Sequence, residues 1–309
     1  MDHRELRHRL SAAAVRAGRR SLTDAEGLRD GPVRLDGGAS TTLADAGHDL
    51  TGALWSARLL ITAPTAVSEV HAAFLDAGAE VVTTLSYQLA AKTLAAAGHD
   101  PGDAPEFLAR SVEVAREAVA AAPRPALVGA SVGAYGAALG HGAEYTGGYG
   151  VGPADLAAFH RPRIEALTAA GADVLVCETI PSATEIEALR EILADVAVPA
   201  TVSVTLAADG RHLPEGVELV PALAPVAELD NVVAVGVNCV HPDVVDTALR
   251  ELTPLGVPLL AKPNAEAVDE LDPRPWLDAG AAIVGGCCGT SPARLRQLLA
   301  RVEESAPPG

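Results

Sequence analysis

The sequence is short of basic residues and of long apolar runs, and each shortage excludes a class of partner. Its 23 lysines and arginines stand against 40 aspartates and glutamates, which gives a net charge of -17. A surface of this sign repels nucleic acid and anionic membranes, and no basic stripe reverses it locally. No apolar run approaches the roughly 20 residues that a membrane-spanning helix needs. We therefore expect small-molecule partners, and neither nucleic acid nor a membrane.

Cysteine is also scarce, because four cysteines in 309 residues are too few for a disulfide framework. Two of them, Cys287 and Cys288, are adjacent, which is more typical of metal or redox chemistry. The segment Met1 to Leu10 is charged, and no apolar signal region follows it. We therefore expect a cytoplasmic protein. A monomer or a homodimer is expected, since symmetric oligomers are common.

Hydrophobic residues make up 49% of the chain, enough for one large α/β domain. Short runs rich in Val, Ile, Leu and Ala recur, and each is followed by turn residues and a helical pattern. Near-continuous apolar strands that alternate with helices indicate a parallel sheet buried on both faces. We predict a single-domain (β/α)8 TIM barrel over residues 31–309. The predicted strands are Val33–Asp36, Glu80–Thr84, Ala126–Ser131, Val174–Cys177, Ala200–Thr205, Val233–Asn238, Pro258–Lys262 and Ala282–Val284.

Two regions lie outside this repeat. Residues 1–30 form an N-terminal extension that we expect to be solvated, although Ser11–Gly18 could form a short helix. The Gly-rich tract Gly129–Gly152 is interpreted as a long loop over the barrel mouth. A doubly wound open sheet is the alternative fold, but Gly37-Gly38 lacks the third glycine of a dinucleotide-binding loop. The predicted helices include Pro153–Ala170, Ser182–Ala194 and Pro292–Val302.

Three of the cysteines fall where a barrel enzyme places its chemistry, at the carboxyl ends of strands. Cys239 follows the sixth predicted strand, and Cys287 and Cys288 follow the eighth. Only one strand separates these two ends, so three thiolates can meet there. Zinc takes four ligands, and three cysteines leave one position for substrate, as in catalytic sites. Cys177 is expected in the core instead, because strand alternation turns it away from Glu178.

Other interpretations of the cysteines stay open. All three could be ordinary buried residues, Cys287 and Cys288 could cycle through a vicinal disulfide, or zinc could stabilise a barrel without catalysis. Gly285, Gly286 and Gly289 are expected to let the backbone turn so that adjacent cysteines face one metal. Histidines that could close the zinc site with a fourth ligand are His141, His212 and His241.

The ordered residues at the strand ends resemble those of the homocysteine S-methyltransferase family, zinc enzymes that methylate homocysteine to methionine. The resemblance runs from about Val33 to the last helix. The matching motifs are Leu35-Asp36-Gly37-Gly38, Thr84-Leu85-Ser86-Tyr87-Gln88, Gly133-Ala134-Tyr135-Gly136, Glu144-Tyr145, Glu178-Thr179-Ile180-Pro181, Gly236-Val237-Asn238-Cys239, Pro263-Asn264 and Gly285-Gly286-Cys287-Cys288-Gly289-Thr290.

This resemblance implies a zinc-dependent methyltransferase of methionine biosynthesis. Its zinc ligands are Cys239, Cys287 and Cys288, and its substrate contacts are Asp36, Gly37, Glu178 and Asn238. A sulfonium is the expected methyl donor, because a neutral thioether leaves when its methyl group is taken. S-Methylmethionine is favoured, S-adenosylmethionine is the alternative donor, and selenocysteine or another thiol is the alternative acceptor.

Physical chemistry fits these assignments. The Glu178 carboxylate can pair with a substrate ammonium, and N–H groups after Gly37 can receive its carboxylate. Asp36 could instead be a turn residue, and Glu178 could be a structural ion pair. A cationic donor suits aromatic rings at the mouth, and the candidate rings are Tyr87, Tyr135, Tyr145 and Tyr149. The sequence departs from the family pattern at Thr42, Val204 and Lys262, and Lys262 stands where an aromatic residue often precedes Pro-Asn.

Overall fold

The computed structural model describes residues 1–24, 31–266 and 268–305. One sheet of eight parallel strands runs through them, which confirms the predicted (β/α)8 barrel. Every strand residue is buried, as expected for strands that pack on the barrel interior and on the outer helices. The strands are β1 (Val33–Arg34), β2 (Val81–Thr83), β3 (Leu127–Gly133), β4 (Val174–Ile180), β5 (Ala200–Val204), β6 (Val232–Asn238), β7 (Leu259–Lys262) and β8 (Ala281–Val284).

The strands are hydrogen-bonded in the order β1-β8-β7-β6-β5-β4-β3-β2. A parallel bridge between Leu35 and Val81 joins the two ends of this order and closes the ring. Each predicted strand has its counterpart, with ends that differ by up to three residues. The largest difference is at β4, which continues to Ile180 and so contains Glu178.

Helices connect the strands and cover the outside of the barrel. The helices predicted to begin at Pro153, Ser182 and Pro292 start there within one residue. Two of them are capped by serines, since Ser182 accepts from the Glu185 N–H and Ser291 from the Arg294 N–H. The helices are α1 (His3–Arg16), α2 (Ala39–Asp45), α3 (Leu59–Thr62), α4 (Pro64–Ala77), α5 (Ala91–Ala96), α6 (Ala104–Ala121), α7 (Tyr135–Leu139), α8 (Pro153–Ala169), α9 (Ala183–Leu193), α10 (Leu219–Ala227), α11 (Val245–Leu252), α12 (Arg274–Asp278) and α13 (Pro292–Glu304). Short 3-10 helices lie at Trp55–Arg58, Pro101–Asp103, Ala143–Tyr145, Pro242–Val244 and Thr253–Leu255.

The segment before β1 is not the solvated extension that we expected. Helix α1 buries Leu6 and Leu10 in the apolar cluster that fills the inside of the barrel, beside residues such as Val33 and Val174. Asp2 caps the helix by accepting from the Glu5 N–H. The helix thus plugs the barrel. Residues 25–30, the last part of the predicted extension, lie outside the described residues.

Arginines fix this plug at the amino ends of the strands. Arg7 pairs with Glu80 just before β2, and Arg19 pairs with Asp173 just before β4. Arg16 donates to the Ala197 carbonyl ahead of β5. Because all these partners precede strands, α1 lies at the end of the barrel opposite to the carboxyl ends. None of the helices in the described ranges is both long and apolar enough to cross a membrane.

Helix α4 carries a buried histidine that makes stability depend on pH. His71 is fully buried, and neither ring nitrogen has a partner among the described residues. Burial lowers its pKa from 6.5 to about 4. The unfolded chain then binds a proton that the folded one excludes, so stability falls as the pH drops from about 6.5 to about 4. We expect this loss to reach about 3 kcal/mol.

The variant His71→Leu should therefore lose less stability on acidification than the wild type, measured by urea unfolding at pH 7 and pH 4.5. His8→Leu, which changes an exposed histidine, is the control. An unchanged difference between the two pH values in His71→Leu would contradict the prediction.

Candidate metal centre and substrate cavity

A cavity of about 440 Å³ opens at the carboxyl ends of the strands. Its size is within the range of small-molecule sites. Six of the seven residues predicted to be functional line it: Asp36, Gly37, Glu178, Cys239, Cys287 and Cys288. The Gly-rich tract contributes Glu144 and Tyr145 to the mouth, although it forms two short helices where we predicted a loop.

Three cysteines meet on one side of this cavity. The Sγ atoms of Cys239, Cys287 and Cys288 all lie within 4.8 Å of one another, and those of Cys239 and Cys288 are 3.8 Å apart. Cys177 is fully buried in the core and has no place in this cluster, as predicted. Three thiols from two distant parts of the sequence therefore form one group.

The backbone presents Cys239 in an unusual conformation. Cys239 has φ +54°, in the left-handed region, and its N–H donates to the Lys262 carbonyl at 3.1 Å. Thr179, near the end of β4, also has a positive φ of +61°. Such a conformation costs a non-glycine residue about 1–3 kcal/mol, so the surroundings must impose it.

Asn238, which we predicted as a substrate contact, directly precedes Cys239 and bonds to Thr179. Its Oδ1 accepts from the Thr179 N–H and the Ser203 hydroxyl, and its Nδ2 donates to the Thr179 hydroxyl, each at 2.7 Å. Asn238 is fully buried and does not line the cavity. Its amide joins β4, β5 and β6 next to Cys239, and the substrate contact that we predicted for it stays a prediction.

The other two cysteines lie in a turn after β8 that is bonded on both sides. The Cys287 N–H donates to the Pro263 carbonyl at 2.8 Å, and the Cys288 carbonyl accepts from the Ala265 N–H at 2.7 Å. Gly289 has φ +76°, which supports the turning role that we predicted for it. Gly285 and Gly286 do not have positive φ. Both are needed for close packing instead, Gly285 against Leu35 and Gly286 against Thr290.

The cysteine turn packs directly on the loop after β1. A Cβ atom on Gly38 would lie 2.7 Å from the Cys287 carbonyl oxygen, closer than real Cβ contacts. We therefore expect Gly38→Ala to displace the turn and to lower the affinity for a thiophilic metal such as zinc by about tenfold or more. Loss of a residue that supports a metal ligand has an effect of this size. Competition with a chromogenic chelator measures this affinity.

Gly152→Ala is the matched control, because Gly152 has φ -86° and no atom within 4 Å of a built Cβ. Equal zinc affinity in the Gly38 and Gly152 variants would argue against a role of this contact.

The three thiols shift one another's pKa values. Hydrogen bonds from Cys239 and Cys288, and the nearby Lys262 ammonium, lower the pKa of Cys287. Hydrogen bonds with Cys287 and Cys288, together with burial, raise the pKa of Cys239 above its ordinary value. One thiolate therefore suppresses ionisation of its neighbours. A bound cation would relieve this repulsion, so the donor set fits a thiophilic metal such as zinc.

The cavity floor carries two buried carboxylates. Asp36 accepts from the N–H of Thr83 at 2.6 Å and from its hydroxyl, so it is more than a turn residue. Burial raises the pKa of Asp36, although Lys262 and the bonds from Thr83 oppose the rise. Glu178 Oε1 accepts from the Ser131 hydroxyl at 2.6 Å. These bonds hold both carboxylates toward the cavity.

An ion pair on Glu178 was left open as an alternative, and the structure contains one. Lys262 Nζ lies 2.9 Å from Glu178 Oε2, and both side chains are buried. Burial by itself would lower the pKa of Lys262, but Glu178, Asp36 and Cys287 together raise it. The departure from the family pattern at Lys262 thus places a charged ammonium in the substrate cavity.

Aromatic residues surround the mouth, but they are not all the ones that we proposed. Tyr87 and Tyr145 line the cavity, and the Tyr145 hydroxyl lies 3.2 Å from Cys239 Sγ. Tyr135 and Tyr149 pack on each other, with ring centroids 5.3 Å apart, and do not line it. Trp55, which sequence reasoning missed, does line it. The available signal was a tryptophan in the segment that follows the first strand.

The histidines considered as a fourth metal ligand do not join the cysteine cluster among the described residues. His141 lines the mouth, and His212 and His241 pair with aspartates near the surface. The three cysteines are thus a candidate metal centre with an open side toward the cavity.

Comparisons with known proteins agree with this geometry. A model of the homocysteine S-methyltransferase family matches residues 33–302. The chain is 40% identical to the homocysteine S-methyltransferase of Escherichia coli, over 91% of this chain and 97% of that protein. It is 33% identical to a selenocysteine Se-methyltransferase of Brassica oleracea, over 87% and 88%. The crystal structure of the E. coli homocysteine methyltransferase MmuM in its metallated form has a TM-score of 0.82, covering 88% of this chain and 97% of that chain.

Proposed function

The chain belongs to the homocysteine S-methyltransferase family, and from this premise we propose that it methylates homocysteine to methionine with a sulfonium donor. The observation that carries the proposal is the group of three cysteine Sγ atoms within 4.8 Å at the substrate cavity. Cys239, Cys287 and Cys288 would hold zinc there, and when bound, zinc would keep the substrate thiol ionised at neutral pH.

The protein residues bind and orient the acceptor. Asp36 and Glu178 are the carboxylates that would bind the homocysteine ammonium, since they are buried at the cavity floor beside the thiols. This places the acceptor sulfur at the cysteine cluster and leaves the mouth to the donor. Holding two reactants in line contributes much of the rate acceleration in such transfers.

The donor would enter from the mouth. Trp55, Tyr87 and Tyr145 offer aromatic faces to a cationic sulfur. Glu144 adds a buried Oε2 that has no partner among the described residues. In the transfer, the homocysteine sulfur forms a bond to the methyl carbon, the bond from that carbon to the sulfonium breaks, and a neutral thioether leaves. The proton of the homocysteine thiol is released to solvent.

We favour S-methylmethionine over S-adenosylmethionine as the donor. A cavity of about 440 Å³ lies toward the small end of ligand sites. It suits two molecules of amino-acid size better than one that also carries a nucleoside.

The test combines zinc analysis with turnover. Purified protein should contain about one zinc per chain by elemental analysis. It should form methionine from homocysteine with S-methylmethionine, and more slowly with S-adenosylmethionine. Protein that binds no zinc in reducing, chelator-free buffer, and that added zinc does not activate, would favour a redox role for Cys287 and Cys288 instead.

Selenocysteine is a second candidate acceptor, because a relative over 87% of this chain is a selenocysteine Se-methyltransferase. A thiophilic metal also binds selenolates. Competition between homocysteine and selenocysteine for one donor pool gives the ratio of their kcat/KM values.

We propose the cytoplasm as the compartment, since a site of free thiols requires reducing conditions.

A further inference from the structure

Lys262 lies at the end of β7 with an ammonium that is only partly used. Its side chain is nearly fully buried and lines the cavity. An ammonium has three N–H groups. One donates to Glu178 Oε2 at 2.9 Å, and no described residue accepts the other two. A buried donor without an acceptor is costly, so a ligand that accepts from it is expected.

The charges on the cavity floor complement an α-amino acid. Asp36 and Glu178 supply two carboxylates. Lys262 supplies the positive charge, since it is the only lysine or arginine among the described residues that line the cavity. An α-amino acid carries an ammonium and a carboxylate on the same carbon. Its partner charges must therefore lie side by side, as those of Glu178 and Lys262 do.

The backbone donors that we first expected to bind the substrate carboxylate are engaged elsewhere. The Gly38 N–H donates to the Thr290 carbonyl at 2.9 Å, and the Ala39 N–H donates to the Gly37 carbonyl at 3.1 Å. The first bond joins the β1 loop to the cysteine turn, and the second lies within the β1 loop. The two N–H groups directly after Gly37 are therefore not free for a ligand.

We propose that Lys262 binds the carboxylate of the amino-acid substrate, while Asp36 and Glu178 bind its ammonium. The inference rests on the proposed function for the identity of the substrate. It makes Lys262 a specificity-determining residue that selects zwitterions over simple amines. The opposing interpretation is that Lys262 competes with the substrate ammonium for Glu178, and then its removal would strengthen binding.

Two ligands that differ only in a carboxylate separate these interpretations. Methionine and 3-(methylthio)propylamine are titrated into the zinc-loaded protein by calorimetry. Lys262→Met should weaken methionine binding about tenfold to a hundredfold, because it removes a charge-assisted hydrogen bond. Binding of the amine should stay the same or become tighter, since Glu178 is then free. Lys92→Met is the matched control, because Lys92 does not line the cavity, and it should change neither affinity.

An equal change for both ligands, tighter methionine binding, or no change in Lys262→Met would overturn the proposal. If Lys262→Met does not fold, Lys262→Gln replaces it, because its amide can still donate to Glu178. The expected and contradicting changes in affinity are the same for Lys262→Gln. Turnover of the wild type is measured separately. If the wild type forms no methionine but binds methionine in preference to the amine through Lys262, the proposed function is contradicted and the carboxylate site is supported. Turnover without that preference supports the function and contradicts the site.

Discussion

Cys239→Ala is expected to lose its zinc and, with it, methyl transfer. A lost outer-shell partner already costs a metal site about 10–100-fold, so loss of one of three thiolates should lower zinc affinity by more than about 100-fold. Turnover should fall by a similar factor at limiting zinc. Elemental analysis after gel filtration, with methionine formation measured on the same sample, checks both effects.

Cys177→Ala is the matched control for this experiment. Cys177 is also fully buried, but it packs in the core and lies outside the cysteine cluster. We expect this variant to keep its zinc and its turnover while losing some stability. If Cys239→Ala retained one zinc per chain, Cys239 would not be a metal ligand.

Glu178→Gln is expected to damage stability and substrate binding together. The change leaves the buried Lys262 ammonium opposite a neutral amide, and breaking a buried ion pair costs about 3–5 kcal/mol. It also removes a charge that we assign to the substrate ammonium, so methionine affinity should fall by about tenfold or more. Urea unfolding measures the first effect and calorimetry the second.

The double variant Glu178→Gln with Lys262→Met separates the two effects. It removes both buried charges, so its free energy of unfolding should recover toward that of the wild type. Its affinity for methionine should not recover, because neither charged partner of the substrate is restored. Stability of the single Glu178 variant equal to that of the wild type would show that the ion pair contributes nothing.

Much of this architecture is legible in the sequence. Apolar runs such as the one at Val232–Asn238 can be predicted as strands, because both of their faces are buried and a buried strand consists mostly of apolar residues. Once the strands are ordered, the barrel brings Cys239 to Cys287 and Cys288. Their meeting could therefore be predicted from chain order alone, without any contact information.

Other features depend on side-chain geometry that a pattern does not contain. Thr179 and Cys239 have left-handed backbones, and the amide of Asn238 bonds to Thr179. No residue type at these positions predicts a positive φ. The ion pair of Lys262 with Glu178 joins residues 84 positions apart. The sequence marks Lys262 only as a departure from the family pattern. Its partner Glu178 can be identified only from the three-dimensional arrangement of the strands.

The plug formed by α1 has a consequence for the order of events during synthesis. The helix is synthesised before the strands that it contacts, yet Arg9 donates to the carbonyl of Asp230 ahead of β6, and Arg16 donates to that of Ala197 ahead of β5. Domains generally fold as units during synthesis. The apolar side of α1 is therefore covered only after most of the strands have been synthesised. Until then, Leu6 and Leu10 are exposed apolar residues that a chaperone can bind.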